Sequence, residues 1–258
     1  MNSELGVLNR KLLGAAGKGC TEEIEQLLEC GVNVDATGEF GFTALMCAAQ
    51  NGHTGTVQYL LEHGAKVNAK DMAGRTALIQ AAQNGHTGTV QCLLEHCANE
   101  GAAPKSGWMV PLKKFLTLGG VKVNATDKFG RTALLHAAKN GYTETVQCLM
   151  EHGAKVDDTN MYGSTAMMEA ALYGHTETVQ YLLVRGAKVD AANEWSQTAL
   201  MFAAREGHVK TVQCLLDSGA NVDIQNVNGC TALELAEKKG HTEVARMLRN
   251  AGAVRRRE

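Results

Sequence analysis

The apolar residues of this chain recur at helical spacing in two short stripes separated by a glycine. Between residues 76 and 96 the first stripe is made of small and apolar residues three or four positions apart, namely Ala77, Leu78, Ala81 and Ala82. The second stripe has the same i, i+3, i+4 spacing and consists of Val90, Leu93 and Leu94. Thr76 precedes the first stripe, where its hydroxyl would cap a helix, and Asn84-Gly85 separates the stripes, where glycine commonly ends a helix. The pattern predicts a short helix, a turn and a second helix.

This block of residues returns along the chain at a fixed interval. Its copies begin at the threonines of one slot, Thr43, Thr76, Thr132, Thr165, Thr198 and Thr231. Four of the five intervals are 33 residues, and the interval after Thr76 is 23 residues longer. A period of this length is the mark of a repeat array, in which each helix pair buries its apolar stripe against its neighbours. We therefore predict one array over residues 1–258.

The repeat boundaries follow from the positions of the threonines. They predict an N-terminal capping repeat, five central repeats, of which the second carries an insertion at 99–121, and a C-terminal capping repeat: 5–37, 38–70, 71–126, 127–159, 160–192, 193–225 and 226–258. Arg10 stands in the threonine slot of the first repeat, whose second stripe is rich in glutamate. A terminal repeat turns one stacking face to water, so a more polar and less regular sequence is expected there.

Three sequence strings identify the repeat. They are Thr-Ala-Leu-x-x-Ala-Ala-x-x-Gly-His, then Thr-Val-Gln-x-Leu-Leu, then Gly-Ala-x-Val-Asn/Asp. This pattern resembles the ankyrin repeat over residues 5–258, apart from the insertion. The chain departs from the family's Thr-Pro-Leu-His string, because alanine replaces the proline and Met46 or another residue replaces the histidine. The resemblance implies an all-α repeat fold, a solenoid of stacked helix-turn-helix units with β-turn or hairpin fingers. It also implies a non-catalytic protein that binds another protein on its finger tips and concave helix face.

Composition limits the choice of partner and compartment. The formal net charge is −2, so no overall positive field favours nucleic acid or an anionic membrane surface. No apolar run approaches the ~20 residues of a membrane helix. Cys92, Cys148 and Cys214 share one repeat slot, and neighbouring helix pairs lie too far apart for disulfides. We therefore expect thiols in a reducing compartment, the cytoplasm or alternatively the nucleus, and a monomeric chain.

The sequence predicts neither an enzyme nor a cofactor or metal site. Most of the nine histidines share two repeat slots, so they line up in rows, whereas a zinc site needs three or four converging ligands. No glycine-rich phosphate loop and no nucleophile elbow is present. A small-molecule binder or an enzyme stays as a remote alternative.

The residues that change between repeats carry the functional signal. The turn positions and the ends of the first helices vary between repeats, while the packing positions stay constant. We predict that the aromatic, basic and apolar residues at the variable positions form a protein-binding surface: Phe40, Lys128, Phe129, Arg131, Met161, Tyr162, Leu172, Tyr173, Trp195 and Arg205. Aromatic residues and arginine are enriched at interface hot spots. The alternative is that aromatics on neighbouring turns pack against each other and serve stability.

The 99–121 insertion is the one break in the period. Its residues Trp108 and Phe115 make it a candidate recognition element, in which case the chain would be a regulatory or targeting subunit. Alternatively, its apolar residues fold back onto the second helix of the repeat that carries the insertion.

Overall fold

The computed structural model describes residues 2–96 and 120–252 of the chain. Within these ranges the protein is all-helical, with fourteen α-helices, one short 3-10 turn and no β-strand. The predicted all-α repeat fold is confirmed. None of the described helices has both the length and the apolarity that crossing a bilayer requires.

The contacts divide the chain into two compact units. The N-terminal unit is Met1–Lys128 with Glu151–Gly153, and the C-terminal unit is Phe129–Met150 with Ala154–Glu258. The described helices of the first 96 residues are α1 (Asn2–Lys18), α2 (Thr21–Glu29), α3 (Ala44–Gln50), α4 (Thr54–Glu62), α5 (Ala77–Gln83) and α6 (Thr87–His96). Those that follow residue 120 are α7 (Ala133–Lys139), α8 (Thr143–Glu151), α9 (Ala166–Leu172), α10 (Thr176–Val184), α11 (Ala199–Glu206), α12 (Val209–Asp217), α13 (Ala232–Lys239) and α14 (Thr242–Asn250).

Each unit is built from two layers of helices. In the N-terminal unit the first helices of successive pairs, α1, α3 and α5, pack in order, and the second helices α2, α4 and α6 form the other layer. In the C-terminal unit α7, α9, α11 and α13 form the first layer, while α10, α12 and α14 pack in order in the second. The paired alanines of the first helices are fully buried, as at Ala170 and Ala171. Their small side chains let neighbouring helices approach closely.

The threonine that opens each copy of the block caps the first helix of its repeat. Its hydroxyl oxygen accepts a hydrogen bond from the backbone N–H three residues later, at 3.3–3.4 Å. At Thr231 the carboxylate of Glu234 also accepts from the threonine N–H, which completes a capping box. Each cap is worth about 1 kcal/mol. The predicted N-cap role of Thr76 is confirmed, and so is the helix end at Asn84-Gly85, where Gly85 has φ +71°.

The Gly-His pairs join successive repeats. In each case a histidine Nε2 lies 3.0 Å from the backbone oxygen of a residue 36 positions earlier, for example His208 with Leu172 and His241 with Arg205. The ring covers the glycine of the preceding repeat so closely that a Cβ added to Gly174 would lie 2.7 Å from His208 Nδ1. These histidines are therefore structural, and the row predicted from their spacing holds consecutive repeats together.

Two further rows of hydrogen bonds link consecutive repeats. Threonine hydroxyls of successive second helices pair at 2.8 Å, as in Thr143 with Thr178 and Thr176 with Thr211. In the loops after the second helices, a carboxylate or amide oxygen accepts the backbone N–H of the next loop, as Asn68 Oδ1 does from Lys122 at 2.9 Å. The loop at Lys122 is thus bonded to the loop of the preceding repeat in the same way as the other loops.

The first repeat differs from those that follow. Helix α1 has 17 residues and begins before the predicted boundary at residue 5, whereas the later first helices have seven or eight. Arg10 occupies the slot of the capping threonine. The finger and the turn glycine that precede this slot in the later repeats are missing from the first repeat. Nothing in the sequence stops the helix at that point, so it continues toward the N-terminus.

Candidate functional site

In the turns that precede the first helices of the C-terminal unit, the side chain of an asparagine at the start of the turn holds the turn backbone in place. In the repeat that contains α11, Asn193 is buried, and its Oδ1 accepts from the backbone N–H groups of Trp195 and Gln197 at 3.0 and 2.9 Å. Asn160 and Asn226 make the same pair of bonds in their own turns. The turn backbone is thereby fixed by a side chain of its own turn.

The turns of the C-terminal unit are also bonded to one another. The backbone N–H groups of Met161, Glu194 and Val227 donate to the carbonyls of Phe129, Tyr162 and Trp195 at 2.9, 3.1 and 3.0 Å. The exposed apolar residues on these turns form what we call the tip row: Phe129, Met161, Tyr162, Trp195 and Val227, which are 42–60% exposed. The tip row therefore contains four of the predicted site residues of this unit, Phe129, Met161, Tyr162 and Trp195.

Tyr162 and Trp195 are in ring contact. Their centroids lie 5.5 Å apart with an interplanar angle of 32°. Such a pair contributes about 0.5–1.5 kcal/mol beyond its buried area, so the aromatics do serve stability. Tyr162 nevertheless stays 42% exposed and Trp195 45% exposed. The pair therefore offers a rigid apolar surface as well as a stabilising contact.

Three cations near the turns and first helices of the C-terminal unit stack on aromatic rings, and a fourth, Arg185, stacks on Tyr181 after the second helix α10. Arg131 Cζ lies 4.8 Å from the ring centroid of Phe129, and Arg205 Cζ lies 5.3 Å from that of Phe202. Lys139 Nζ lies 5.5 Å from the ring of Tyr173, at the end of the first helices. A cation over a ring face gains about 0.5–1 kcal/mol at an exposed site. The stacking also holds each charged group near one position.

Glu169 is a half-buried carboxylate on α9, close to these cations. Burial raises the pKa of its carboxyl group above the usual range, and the charges of Lys139 and Arg131 oppose that rise. The Asn160 amide donates to Glu169 Oε1 at 3.4 Å. Sequence reasoning did not single out this residue. A signal was present, because the slot four residues after the capping threonine changes type in every repeat: Cys47, Gln80, His136, Glu169, Phe202 and Leu235.

The remaining predicted site residues lie elsewhere. Leu172 is half-buried, and its carbonyl oxygen meets His208, so its backbone belongs to the inter-repeat contact. Phe40 and Lys128 are exposed members of the N-terminal unit, where the carbonyl of Phe40 accepts from the N–H of Met72 at 2.8 Å. Trp108 and Phe115 lie outside the described residues, as does the rest of the insertion up to residue 119.

No three histidine, cysteine or acidic side chains in the described ranges converge on a point that could hold a metal ion. Burial raises the pKa of the Cys47 thiol to about 11. Burial also raises the pKa of Cys92, with smaller contributions from Glu95 and Glu62. These thiols stay protonated at neutral pH and are poor nucleophiles.

The features that define this helical repeat protein are paired helices in two layers, threonine caps, hydrogen-bonded fingers and glycine–histidine contacts between neighbours. The sequence model described as Ankyrin repeats (3 copies) matches residues 12–106, 101–193 and 178–256. The chain belongs to the ankyrin-repeat family. The resemblance inferred from the repeated strings is confirmed.

Solved structures agree with this assignment. The ankyrin repeat domain of human ASB11 is 28% identical to the chain, with a TM-score of 0.76, and the match covers 95% of this chain and 99% of that one. The ankyrin repeat domain of Bcl-3, described as a unique member of the IkappaB protein family, is 27% identical with a TM-score of 0.73, covering 93% and 97%. No curated protein matched the sequence.

Proposed function

We propose that this chain is a non-catalytic scaffold that binds another protein through the tip row and the adjacent ends of the first helices in its C-terminal unit. The Tyr162–Trp195 pair carries the proposal, because both rings are held in contact and yet remain more than 40% exposed. Rigid, exposed aromatics are the residues that most often dominate interface energies. Ankyrin-repeat domains are in general protein-interaction modules, which supports this assignment.

Two features of the C-terminal unit favour this surface over the outer face of the second helices. Its turns are fixed by asparagine side chains, so little order has to be gained on binding. Its residue types change from repeat to repeat, whereas the second helices repeat the string Thr-Val-Gln-x-Leu-Leu with few changes.

The compartment and the oligomeric state form part of the same proposal. We place the chain in a reducing compartment, the cytoplasm or the nucleus, because Cys20, Cys47 and Cys92 are free thiols and the raised pKa values of Cys47 and Cys92 protect them from exchange. We expect it to act as a monomer that presents its surface to a different protein.

Affinity capture followed by mass spectrometry tests the proposal. Wild-type chain should recover partners that the Tyr162→Ala/Trp195→Ala double variant loses. Val184→Ala is the matched control, because Val184 is an apolar residue 79% exposed on the second helix α10 of the same unit. Equal recovery by the wild type and the aromatic double variant, with both folded by circular dichroism, would place the interface elsewhere.

A further inference from the structure

In two of the turns that precede the first helices, the fifth residue is an arginine that covers an aromatic ring. Arg75 Cζ lies 5.6 Å from the ring centroid of Phe42, and Arg131 Cζ lies 4.8 Å from that of Phe129. Arg75 also pairs with the first residue of its turn, because its Nε donates to Asp71 Oδ2 at 2.8 Å. In both places the chain itself supplies the guanidinium group that lies on a ring.

The turns of Tyr162 and Trp195 have no such arginine. Their fifth residues are Ser164 and Gln197, and no cation of the described ranges stacks on either ring. Both rings are more than 40% exposed, and their contact at 5.5 Å joins them into one surface. Tryptophan is the side chain whose ring attracts a cation most strongly. The ring pair can therefore receive a cation from another molecule.

Glu194 adds a carboxylate next to the ring pair. It is exposed and directly precedes Trp195, and its backbone N–H donates to the carbonyl oxygen of Tyr162 at 3.1 Å. In the part of the chain that the structure describes, Glu194 belongs to no ion pair. Over residues 160–225, the two repeats that carry the rings, seven acidic side chains outnumber four basic ones. The charge around the pair therefore favours a cationic partner.

The basic side chains at the ends of α7 and α11 are engaged elsewhere. Arg205 Nε donates to the carboxylate of Glu206 at 2.8 Å, so this cation already has a counter-charge. Lys139 Nζ lies 5.5 Å from the ring centroid of Tyr173. Neither cation covers the ring pair, and neither pairs with Glu194.

We propose that the partner segment is a basic peptide that places an arginine side chain on the Tyr162–Trp195 pair and binds the Glu194 carboxylate with the same guanidinium group. The inference rests on the proposed function and specifies the chemistry of the partner. A guanidinium group is planar, so it lies flat on a ring while its N–H edge donates two hydrogen bonds to a carboxylate. A lysine ammonium group has no such planar edge. The contact between Arg131 and Phe129 is the intramolecular counterpart of the one we propose.

Selection from a library of random 12-residue peptides displayed on phage tests the proposal. The wild-type chain should enrich peptides that contain arginine, and Glu194→Gln should enrich arginine less. Glu177→Gln is the matched control, because it removes the same charge from an exposed position on the second helix α10 of the same unit, and it should select as the wild type does. Peptides selected by the wild type without a bias toward arginine would overturn the proposal.

Fluorescence anisotropy with the most enriched arginine peptide gives the magnitude. Replacing its arginine by citrulline, which keeps the shape and loses the charge, should weaken wild-type binding about tenfold, as expected for one cation–π contact and one exposed ion pair. Replacing the arginine by lysine should weaken binding severalfold. Equal affinity of the wild type for the arginine peptide and for either substituted peptide would contradict the assignment of a guanidinium group.

A double-mutant cycle identifies the carboxylate that binds the arginine. Glu194→Gln should bind the arginine peptide up to about fivefold more weakly than the wild type does. The citrulline substitution should then cost less affinity in Glu194→Gln than in the wild type, because the two changes remove the same ion pair. The same citrulline penalty in both chains would show that Glu194 does not bind the arginine.

The aromatic variant separates failure of this inference from failure of the proposed function. If wild-type chain selects peptides that Tyr162→Ala/Trp195→Ala does not bind, but these peptides show no arginine bias, the binding surface stands and the arginine does not. If the wild type selects no peptides, or the aromatic variant selects the same ones, both are wrong.

Discussion

Replacing Gly174 by alanine tests whether the glycine–histidine contact holds neighbouring repeats together. Gly174 has φ +72°, and an added Cβ would lie 2.7 Å from His208 Nδ1 and 2.9 Å from Cε1. The left-handed backbone alone costs a non-glycine residue roughly 1–2 kcal/mol. The imidazole must also move, which endangers its 3.0 Å contact with the Leu172 oxygen, worth about 1 kcal/mol. We expect a loss of about 2–3 kcal/mol.

Gly240 offers a matched control in the same unit. It occupies the equivalent slot with φ +79°, but an added Cβ would meet nothing within 4 Å. Gly240→Ala should therefore show only the backbone cost, about 1–2 kcal/mol. The difference between the two variants, about 1 kcal/mol, measures the steric and hydrogen-bonding part of the contact.

Urea denaturation followed by circular dichroism provides the measurement. A difference of about 1 kcal/mol separates the two midpoints by roughly 0.3–1 M at the slopes usual for small proteins. In a His208→Ala background, Gly174→Ala should cost no more than Gly240→Ala does. Equal destabilisation by both alanines in the wild-type background would refute the idea that the histidine ring makes this glycine necessary.

Three further predictions follow from single residues. Ser196, with φ +55°, fills a turn slot where Gly163 has φ +73°, so Ser196→Gly should raise the free energy of unfolding by about 0.5–1 kcal/mol, and a lowered urea midpoint would contradict this. Glu169 has a raised pKa, so its stability contribution is greatest below the usual glutamate value of about 4.3 and is lost as pH rises through the raised value. Glu169→Gln should therefore stabilise the protein at neutral pH and lose that advantage near pH 4; an advantage that grows on acidification would refute the sign. Cys47, with a pKa of about 11, is about 0.1% thiolate at pH 8, so iodoacetamide should label the exposed Cys30 first and Cys47 only in urea, as peptide mass mapping can show.

Much of the candidate site could be located from the sequence, because the repeat frame made the variable slots visible. Phe129, Tyr162 and Trp195 stand in one slot of three consecutive repeats, so their proximity followed from the period alone. Glu169 could not be recognised in this way. Its interest comes from partial burial between two cations that lie 30 and 38 residues away, and no local pattern reports burial.

The sequence by itself determined the elements and their caps. The threonine at each helix start, the glycine at each helix end and the spacing of Val90, Leu93 and Leu94 act within a few residues, so their effect can be deduced locally. Only the tertiary structure decided what these elements contact. The histidine that reaches a carbonyl 36 residues earlier, the tilt of the Tyr162–Trp195 rings and the stacking of Arg131 and Lys139 depend on how successive repeats pack. Packing distances of a few ångströms arise from many side chains at once, which is why spacing along the chain could not supply them.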